Sequence, residues 1–522
     1  MSKKIKWVDV VSVTVILVFA FAIYCTHWRY ELPFHPHADE PIVTDGIMKM
    51  IGDSIQSSLP FNYPHLSFYI GYFAYKIGNN FITIYDYYYF FRVILCGIAL
   101  FSNVCMYFVG KRITCRKPYG YICLLISLFS FYQFQYLYYT GPDVLLYALA
   151  NIVFLVAVEM FFADDEKALS LYPLIAILIG LAISAKYHGV LLGALWLAIH
   201  IARGYTRDIH KNKRFIQNCF LILLAFFVCN WKILLDPQGF IDGFLFNFKH
   251  YAGRHQGIEH NMPLLAYFEA WVLYGFGFLG AIIFILGIIF CFKHIEYKKF
   301  VVVILVVPVI VLSILSRSTI SLGRNISLIL PVFYIFEAFG ILSIESIFVT
   351  RPKIGKLVST VLVWSMVLVN ICGMLYLDNY DDSYEYMEKW IDKNIEMGSI
   401  IYIDSSYAPY IDNEKYDVKI AEGTLPTDIP NLAPDEYYVT SGLTFDRYLQ
   451  RKDYYFMEGG YMYPDDAEEY MKEISKLQLV YNVTGVSGTF DSKFRLKYKD
   501  FFNKSHKSYF KGPTINVYRG VR

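Results

Sequence analysis

Charge is scarce in this chain, and the little there is nearly cancels. Charged residues make up 18% of the 522, with 47 Lys plus Arg against 45 Asp plus Glu. A net charge of +2 with no basic tail or stripe excludes a nucleic-acid partner, which needs positive charge gathered on one face. Cysteine is confined as well: all nine lie between Cys25 and Cys372, in apolar runs or short turns. The stretch after Cys372 therefore carries no disulfide. No cysteine spacing resembles a zinc site either, which leaves small buried hydrophobes as the reading. Internal repeats are also missing, which argues against a transporter built from inverted halves.

Apolar surface is what the chain has in excess. Hydrophobic residues reach 56% and the mean hydropathy is +0.39, more than a soluble core requires. Apolar runs fall near residues 8–26, 88–110, 119–137, 143–162, 171–185, 188–202, 215–231, 265–292, 299–316, 325–347 and 355–376, giving roughly eleven spans of a polytopic α-helical membrane protein. If Met1–Lys6 is cytoplasmic, four of the five inside turns are basic: Lys111–Lys117, Arg203–Arg214, Lys293–Lys299 and Arg351–Lys356. Asp164-Asp165-Glu166-Lys167 is the exception, and acidic residues count little toward orientation. The first run is read as a retained span. Ala20-Phe21-Ala22 imitates a signal cleavage site, but ten later runs already commit the chain to the membrane.

After Leu377 the composition changes abruptly, with Asp378, Asp381, Asp382, Glu385 and Glu388 close together. Residues 1–377 read as a transmembrane domain and 378–522 as a small extracytoplasmic soluble α/β domain. Asp382 and Glu385 can cap a helix bearing Tyr384, Met387, Ile391 and Ile395, and Gly398 can end it. Ser399–Asp404, Glu436–Thr440, Leu477–Val483 and Thr514–Tyr518 have strand composition, and Glu468–Leu477 a second helical pattern.

This topology brings one set of polar residues to the outer side. Asp39 and Glu40 lie in the first outer loop, Asp143 opens the fourth span, Lys186 and His188 sit in the turn after the fifth, and Arg324 precedes the tenth. Ionisable groups at membrane depth are costly unless paired or hydrated, so their gathering at one level points to a shared polar cavity. The outer loop Asp236–Pro263 adds Arg254 and His255 among the phenylalanines of an interfacial segment.

At these residues the chain resembles the membrane glycosyltransferases of the GT-C superfamily, in particular the dolichyl-phosphate-mannose protein mannosyltransferase and aminoarabinose transferase group. His35-Pro36-His37-Ala38-Asp39-Glu40 resembles the family's His-Pro-Asp-Glu loop with residues inserted. Phe61-Asn62-Tyr63-Pro64-His65 is similar to its Asn-Tyr-Pro segment, Gly141-Pro142-Asp143 to its second acidic site, and Gly180–Gly189 to its Gly-Leu-Ala…Lys-Tyr stretch. Arg324 before Leu330-Pro331 resembles the Arg…Leu-Pro of a late span.

The resemblance implies transfer of a sugar from a polyprenyl-phosphate donor to a hydroxyl of a lipid, glycan or protein acceptor, with inversion. Asp39 would be the base, Glu40 and Asp143 would position the acceptor or polarise the site, and Lys186 and Arg324 would clamp the phosphate, with His188, Tyr63, His65, Arg254 and His255 as further substrate contacts. Tyr63-Pro64 stands where aminoarabinose transferases carry a lysine before the proline, which shifts the phosphate contact toward Lys186 or Arg324. His35, His37 and His65 could hold a divalent metal with Asp39, but their spacing is irregular and no cofactor is assigned. The competing readings are a polytopic transporter, and a protein that binds lipid-linked sugar without transferring it.

Overall fold

The computed structural model describes residues 7–30, 32, 39–252, 263–269, 271–272, 277–318, 322–378, 381–404, 408–421, 429, 431–442, 472–487 and 510–521. Arg254, His255, His35 and His37 lie outside the described residues. The chain opens with α1 (Trp7–His27), followed by two short helices, α2 (Glu40–Gly52) and α3 (Leu66–Gly78). Next come α4 (Tyr87–Ser102), α5 (Val104–Thr114), α6 (Lys117–Leu128), the one-turn α7 (Phe131–Tyr136) and α8 (Pro142–Phe162). α9 (Asp165–Ser170) and α10 (Tyr172–Ala185) lead through the 3-10 turn Tyr187–Leu191 into α11 (Leu192–Ala202). α12 (Ile209–Cys229), α13 (Pro237–Ala252), α14 (Pro263–Glu269), α15 (Gly277–Lys293) and α16 (Ile295–Leu315) follow. The 3-10 segment Gly323–Ile329, α17 (Leu330–Ile347) and α18 (Pro352–Asp378) complete the bundle.

Among the described residues, eight helical segments are long and apolar enough to cross a bilayer: Trp7–His27, Tyr87–Thr114, Pro142–Phe162, Asp165–Ala185, Ile209–Cys229, Ile295–Leu315, Gly323–Ile347 and Pro352–Leu375. The protein is an integral membrane protein. Among the described residues, three of the eleven expected runs do not form one spanning helix. The run at 119–137 breaks at Phe129-Ser130 into α6 and α7, and the one at 188–202 contains an 11-residue helix behind a 3-10 turn. The run at 265–292 contains the 17-residue α15. Continuous apolarity was present in each case, but a helix of about 20 residues was not.

Burial separates the centre from the rim. The Gly323–Ile347 and Pro142–Phe162 windows are 89% and 78% buried, whereas Ile209–Cys229 is 6% buried and faces lipid. A helix apolar on every side belongs either in the centre or in the hydrocarbon, and this bundle uses both solutions. Hydrophobicity does not hold helices together in lipid, so close backbone approach matters. Where α15 crosses α17, a Cβ on Gly287 would fall 1.8 Å from the Phe336 carbonyl oxygen, and one on Gly340 would fall 1.9 Å from that of Ile283. Any larger residue would push the two helices apart.

The basic turns collect at one end of the bundle. Arg112 donates to the Phe162 carbonyl at 2.8 Å, and Arg203 donates to those of Met160, Phe161 and Ala163, so cations cover the C-terminal end of α8. Asp143, in the first turn of the same helix, sits at the opposite end.

The tail forms a small sheet covered by α19 (Ser383–Asn394). The Asp382 side chain accepts from the Tyr384 and Glu385 N–H groups and caps that helix, and Gly398 takes a φ of +85°. The strands are β1 (Ile400–Ile403), β2 (Asp417–Ile420), β3 (Tyr437–Ser441), β4 (Gln478–Val483), β5 (Gly485–Ser487), β6 (Phe510–Pro513) and β7 (Ile515–Arg519). The main sheet has the order β2-β1-β3-β7-β4, with β1 parallel to β2 and β3, and β7 antiparallel to β3 and β4. Tyr384, Met387 and Ile391 of α19 bury against Ile401, Val439, Ile515 and Val517. Strands β2, β5 and β6 were not expected from the sequence. Of the Glu468–Leu477 helix, residues 468–471 lie outside the described residues.

Candidate active site

Four ionisable residues from four distant parts of the chain form one chain of ion pairs at the end of the bundle remote from the basic turns. An Arg324 Nη donates to Asp39 Oδ2 at 2.8 Å, and its Nε lies 3.9 Å from Asp143 Oδ2. The other oxygen of Asp143 accepts from Lys186 Nζ at 2.7 Å. Two carboxylates alternate with two cations, so the cluster is internally neutral and affordable at membrane depth.

Local structure sets each member. Asp39 occupies the N-cap position of α2, with Pro41 fixing the first turn, yet its side chain makes no capping bond; the carboxylate turns to Arg324 instead. Asp143 stands in the first turn of α8 after Gly141-Pro142, where a negative charge also suits the helix dipole. Lys186 ends α10 with an extended backbone, and its carbonyl accepts from the Gly189 N–H at 2.8 Å to start the 3-10 turn. Arg324 is held by the 3-10 segment Gly323–Ile329, which Tyr132 anchors by donating its hydroxyl to the Gly323 carbonyl at 2.5 Å. Tyr136 stacks obliquely on Tyr132 with centroids 4.7 Å apart and so belongs to this support.

Asp143 is almost fully buried, but the Asp39 side chain retains 22% of its exposure. That difference decides which carboxylate an incoming molecule can reach. Beside Asp143 and Lys186, a small cavity is lined by His188, Leu146, Asn325 and Leu328. His188 therefore shares the site with both.

The other expectations fare differently. Glu40 lies apart from this chain of ion pairs: it is fully buried, and its carboxylate pairs with Arg92. Arg92 donates from Nε to Oε1 at 2.8 Å and from Nη2 to Oε2 at 2.5 Å. Thr140 adds its N–H and hydroxyl to Oε1, both at 3.0 Å. Arg92 also donates to the Trp28 and Tyr30 carbonyls at 3.0 and 2.7 Å. Glu40 thus ties α2 to α4, to the end of α1 and to the segment before α8. It fixes the backbone that presents Asp39 and has no oxygen to spare for a substrate.

Tyr63 packs half-buried against the apolar cluster of α2 and α3, which includes Ile47 and Phe68. His65 is buried among Phe61, Phe68 and Tyr69, and its N–H donates to Asn230 Oδ1 at 2.9 Å. Burial, then the neighbouring Lys232 ammonium, lowers its imidazole to about 4, so it is neutral near pH 7. These contacts place both residues in the second-loop cluster and not in the ion-pair chain. Among the described residues, no three His, Cys, Asp or Glu side chains gather as metal ligands.

Two residues escaped the sequence reading. Arg92 stands inside an apolar run, and a charge at membrane depth is itself the signal. Lys232 follows the run ending at Trp231 and reads as a lysine snorkelling to the interface. In the structure it is buried, donates to the Ser57 carbonyl at 2.5 Å, and lies 5.8 Å from the Tyr69 ring. Burial, then the charge of Lys49, lowers its ammonium to about 8.

No protein-family model matches the chain, and no curated protein sequence does. Among solved structures, it is similar to ArnT from Cupriavidus metallidurans bound to undecaprenyl phosphate, with a TM-score of 0.52 at 12% identity over 74% of this chain and 72% of that one. The apo form of the same protein gives 0.51 at 12% identity over 74% and 73%. A mycobacterial arabinofuranosyltransferase, AftD, aligns with 97% of this chain and 41% of its own at a TM-score of 0.43 and 12% identity. The chain has the fold of ArnT.

Proposed function

We propose that this protein is a membrane glycosyltransferase that moves a sugar from a polyprenyl-phosphate donor to an acceptor hydroxyl on the extracytoplasmic side, with inversion. The observation that carries the reading is the Asp39–Arg324–Asp143–Lys186 chain at one end of a GT-C-fold bundle. The basic turns at the other end support a cytoplasmic N-terminus and an outward-facing site. α18 runs from the basic end toward the site end, which supports residues 378–522 as an extracytoplasmic domain.

The ion-pair chain suggests how the reaction is gated. Arg324 pairs with an oxygen of Asp39, and the four charges of the cluster balance. A donor phosphate brings its own negative charge, and Arg324 and Lys186 are the cations placed to meet it with charge-assisted hydrogen bonds. Drawing Arg324 toward the phosphate frees Asp39 Oδ2 for the acceptor hydroxyl. The acceptor oxygen then bonds to the anomeric carbon from the face opposite the phosphate. The carbon–oxygen bond to the phosphate breaks, its electron pair leaves with the phosphate, and the hydroxyl proton passes to Asp39. Asp143 keeps Lys186 and Arg324 aimed at one place, which positions the charge that offsets the departing phosphate.

The test uses purified protein and a panel of polyprenyl-phosphate sugars, with release of polyprenyl phosphate as the readout. Release that requires an acceptor and is lost in Asp39→Asn supports the reading. Binding of the lipid-linked sugars without release from any of them would leave a carrier or assembly protein in its place.

A further inference from the structure

We propose that the groove between α6 and α18, at the end of the bundle remote from Asp39, binds one anionic phospholipid. The groove has a volume of about 810 Å³, within the size range of ligand clefts. One wall is the stripe Pro118, Tyr121, Ile122 and Leu125 of α6. The other is the stripe Lys356, Thr360, Val363 and Trp364 of α18. Both follow the three-and-four spacing of a single helix face. Such faces normally close on each other, but here they stand apart along the spanning part of α18. From Pro352 to Trp364 the wall is about 18 Å long at the α-helical rise, more than half the thickness of a hydrocarbon core. Nothing but a hydrocarbon chain suits an apolar slot at that depth.

The mouth selects the head group. Arg116 stands there half-exposed and pairs with Glu345 at 3.3 Å, and Tyr119 also donates to Glu345, so the one carboxylate in the groove is already matched. Lys356 lines the mouth, and Arg351 and Lys353 are exposed just before it. None of these three forms an ion pair among the described residues. Three cations within six residues, none in an ion pair among the described residues, above an apolar slot open to the bilayer, fit a lipid phosphate whose head group carries no balancing positive charge. A zwitterionic lipid would bring its own cation against them.

The test reconstitutes the full chain in vesicles containing lipids brominated on the acyl chain and follows tryptophan quenching. Subtracting the signal of Trp364→Phe isolates Trp364. Brominated phosphatidylglycerol is expected to quench Trp364 at a lower mole fraction than brominated phosphatidylcholine, and Lys356→Gln with Lys353→Gln should raise the half-quenching fraction by about fivefold or more. Both lysines are exposed, so the variant keeps the fold, and near-ultraviolet circular dichroism checks this. Equal quenching by the two lipids, or no response to the lysine substitutions, overturns the proposal in favour of ordinary bilayer contact. Inorganic phosphate is included as a competitor; displacement of the lipid effect at millimolar phosphate would mean an anion site without lipid specificity and would also overturn it.

Discussion

Asp39 and Glu40 are adjacent in the chain, yet each anchors a different kind of polar cluster. Around Glu40, every oxygen is taken, the partner Arg92 is fully buried, and two backbone carbonyls complete the guanidinium. Around Asp39, a guanidinium bond at 2.8 Å meets a carboxylate that solvent still touches. The first arrangement is rigid, because removing either partner strands a buried charge. The second can exchange partners, because its cations can turn to another anion. The same ion-pair chemistry is sealed as a strut at one position and left within reach of solvent at the other.

Substitutions at the two positions should therefore fail in different ways. The largest effect is expected for Asp39→Asn: transfer falls by about 10²- to 10⁴-fold, while the unfolding temperature and donor binding stay near wild type. Steady-state rates and a thermal melt on the same sample check this, and an unimpaired rate would remove Asp39 from the chemistry. Glu40→Gln should instead lower stability by about 3–5 kcal/mol by leaving Arg92 uncompensated. Adding Arg92→Met should recover much of that loss. A Glu40→Gln protein that is as stable as wild type but inactive would erase the contrast drawn above.

Arg324→Lys and Lys186→Met probe the exchangeable cations. Each removes a charge-assisted contact of about 1.5–3 kcal/mol, which predicts a rise in donor KM of roughly tenfold to a hundredfold; Arg324→Lys keeps the charge and the melting temperature, whereas Lys186→Met also lowers it by leaving the buried Asp143 without its lysine. The smallest effect concerns pH. The imidazole of His65 sits at about 4 in the folded protein against 6.5 in the unfolded chain. Between those values the unfolded state takes up a proton that the folded state refuses, so stability falls on acidification and the loss levels off below about 4. Between pH 7 and pH 6 this amounts to about 0.5–1 kcal/mol, and His65→Phe should flatten that slope in a pH series of melts.

Much of this was legible in advance, for identifiable reasons. The apolar runs declared the membrane, and the order of basic turns separated the two ends of the bundle. Asp143, Lys186 and Arg324 stood out because ionisable residues at span ends are rare and each needs a partner. That Glu40 pairs away from Asp39 was not legible from their adjacency, because at the start of a helix successive side chains point about 100° apart. One therefore turns inward to Arg92 and the other outward. Arg92 itself was hidden by the length of the apolar run around it, and Lys232 by its resemblance to an interfacial lysine.

The sequence by itself determined the class of molecule, the end of the bundle at which the polar residues gather, and the helix and most strands of the tail, because hydrophobic length, charge bias and capping act over a few residues. Only the tertiary structure decided which carboxylate stays reachable and which cation faces it. Pairing between residues 39, 143, 186 and 324 depends on how four distant helix ends meet, and no local pattern in the chain encodes that meeting.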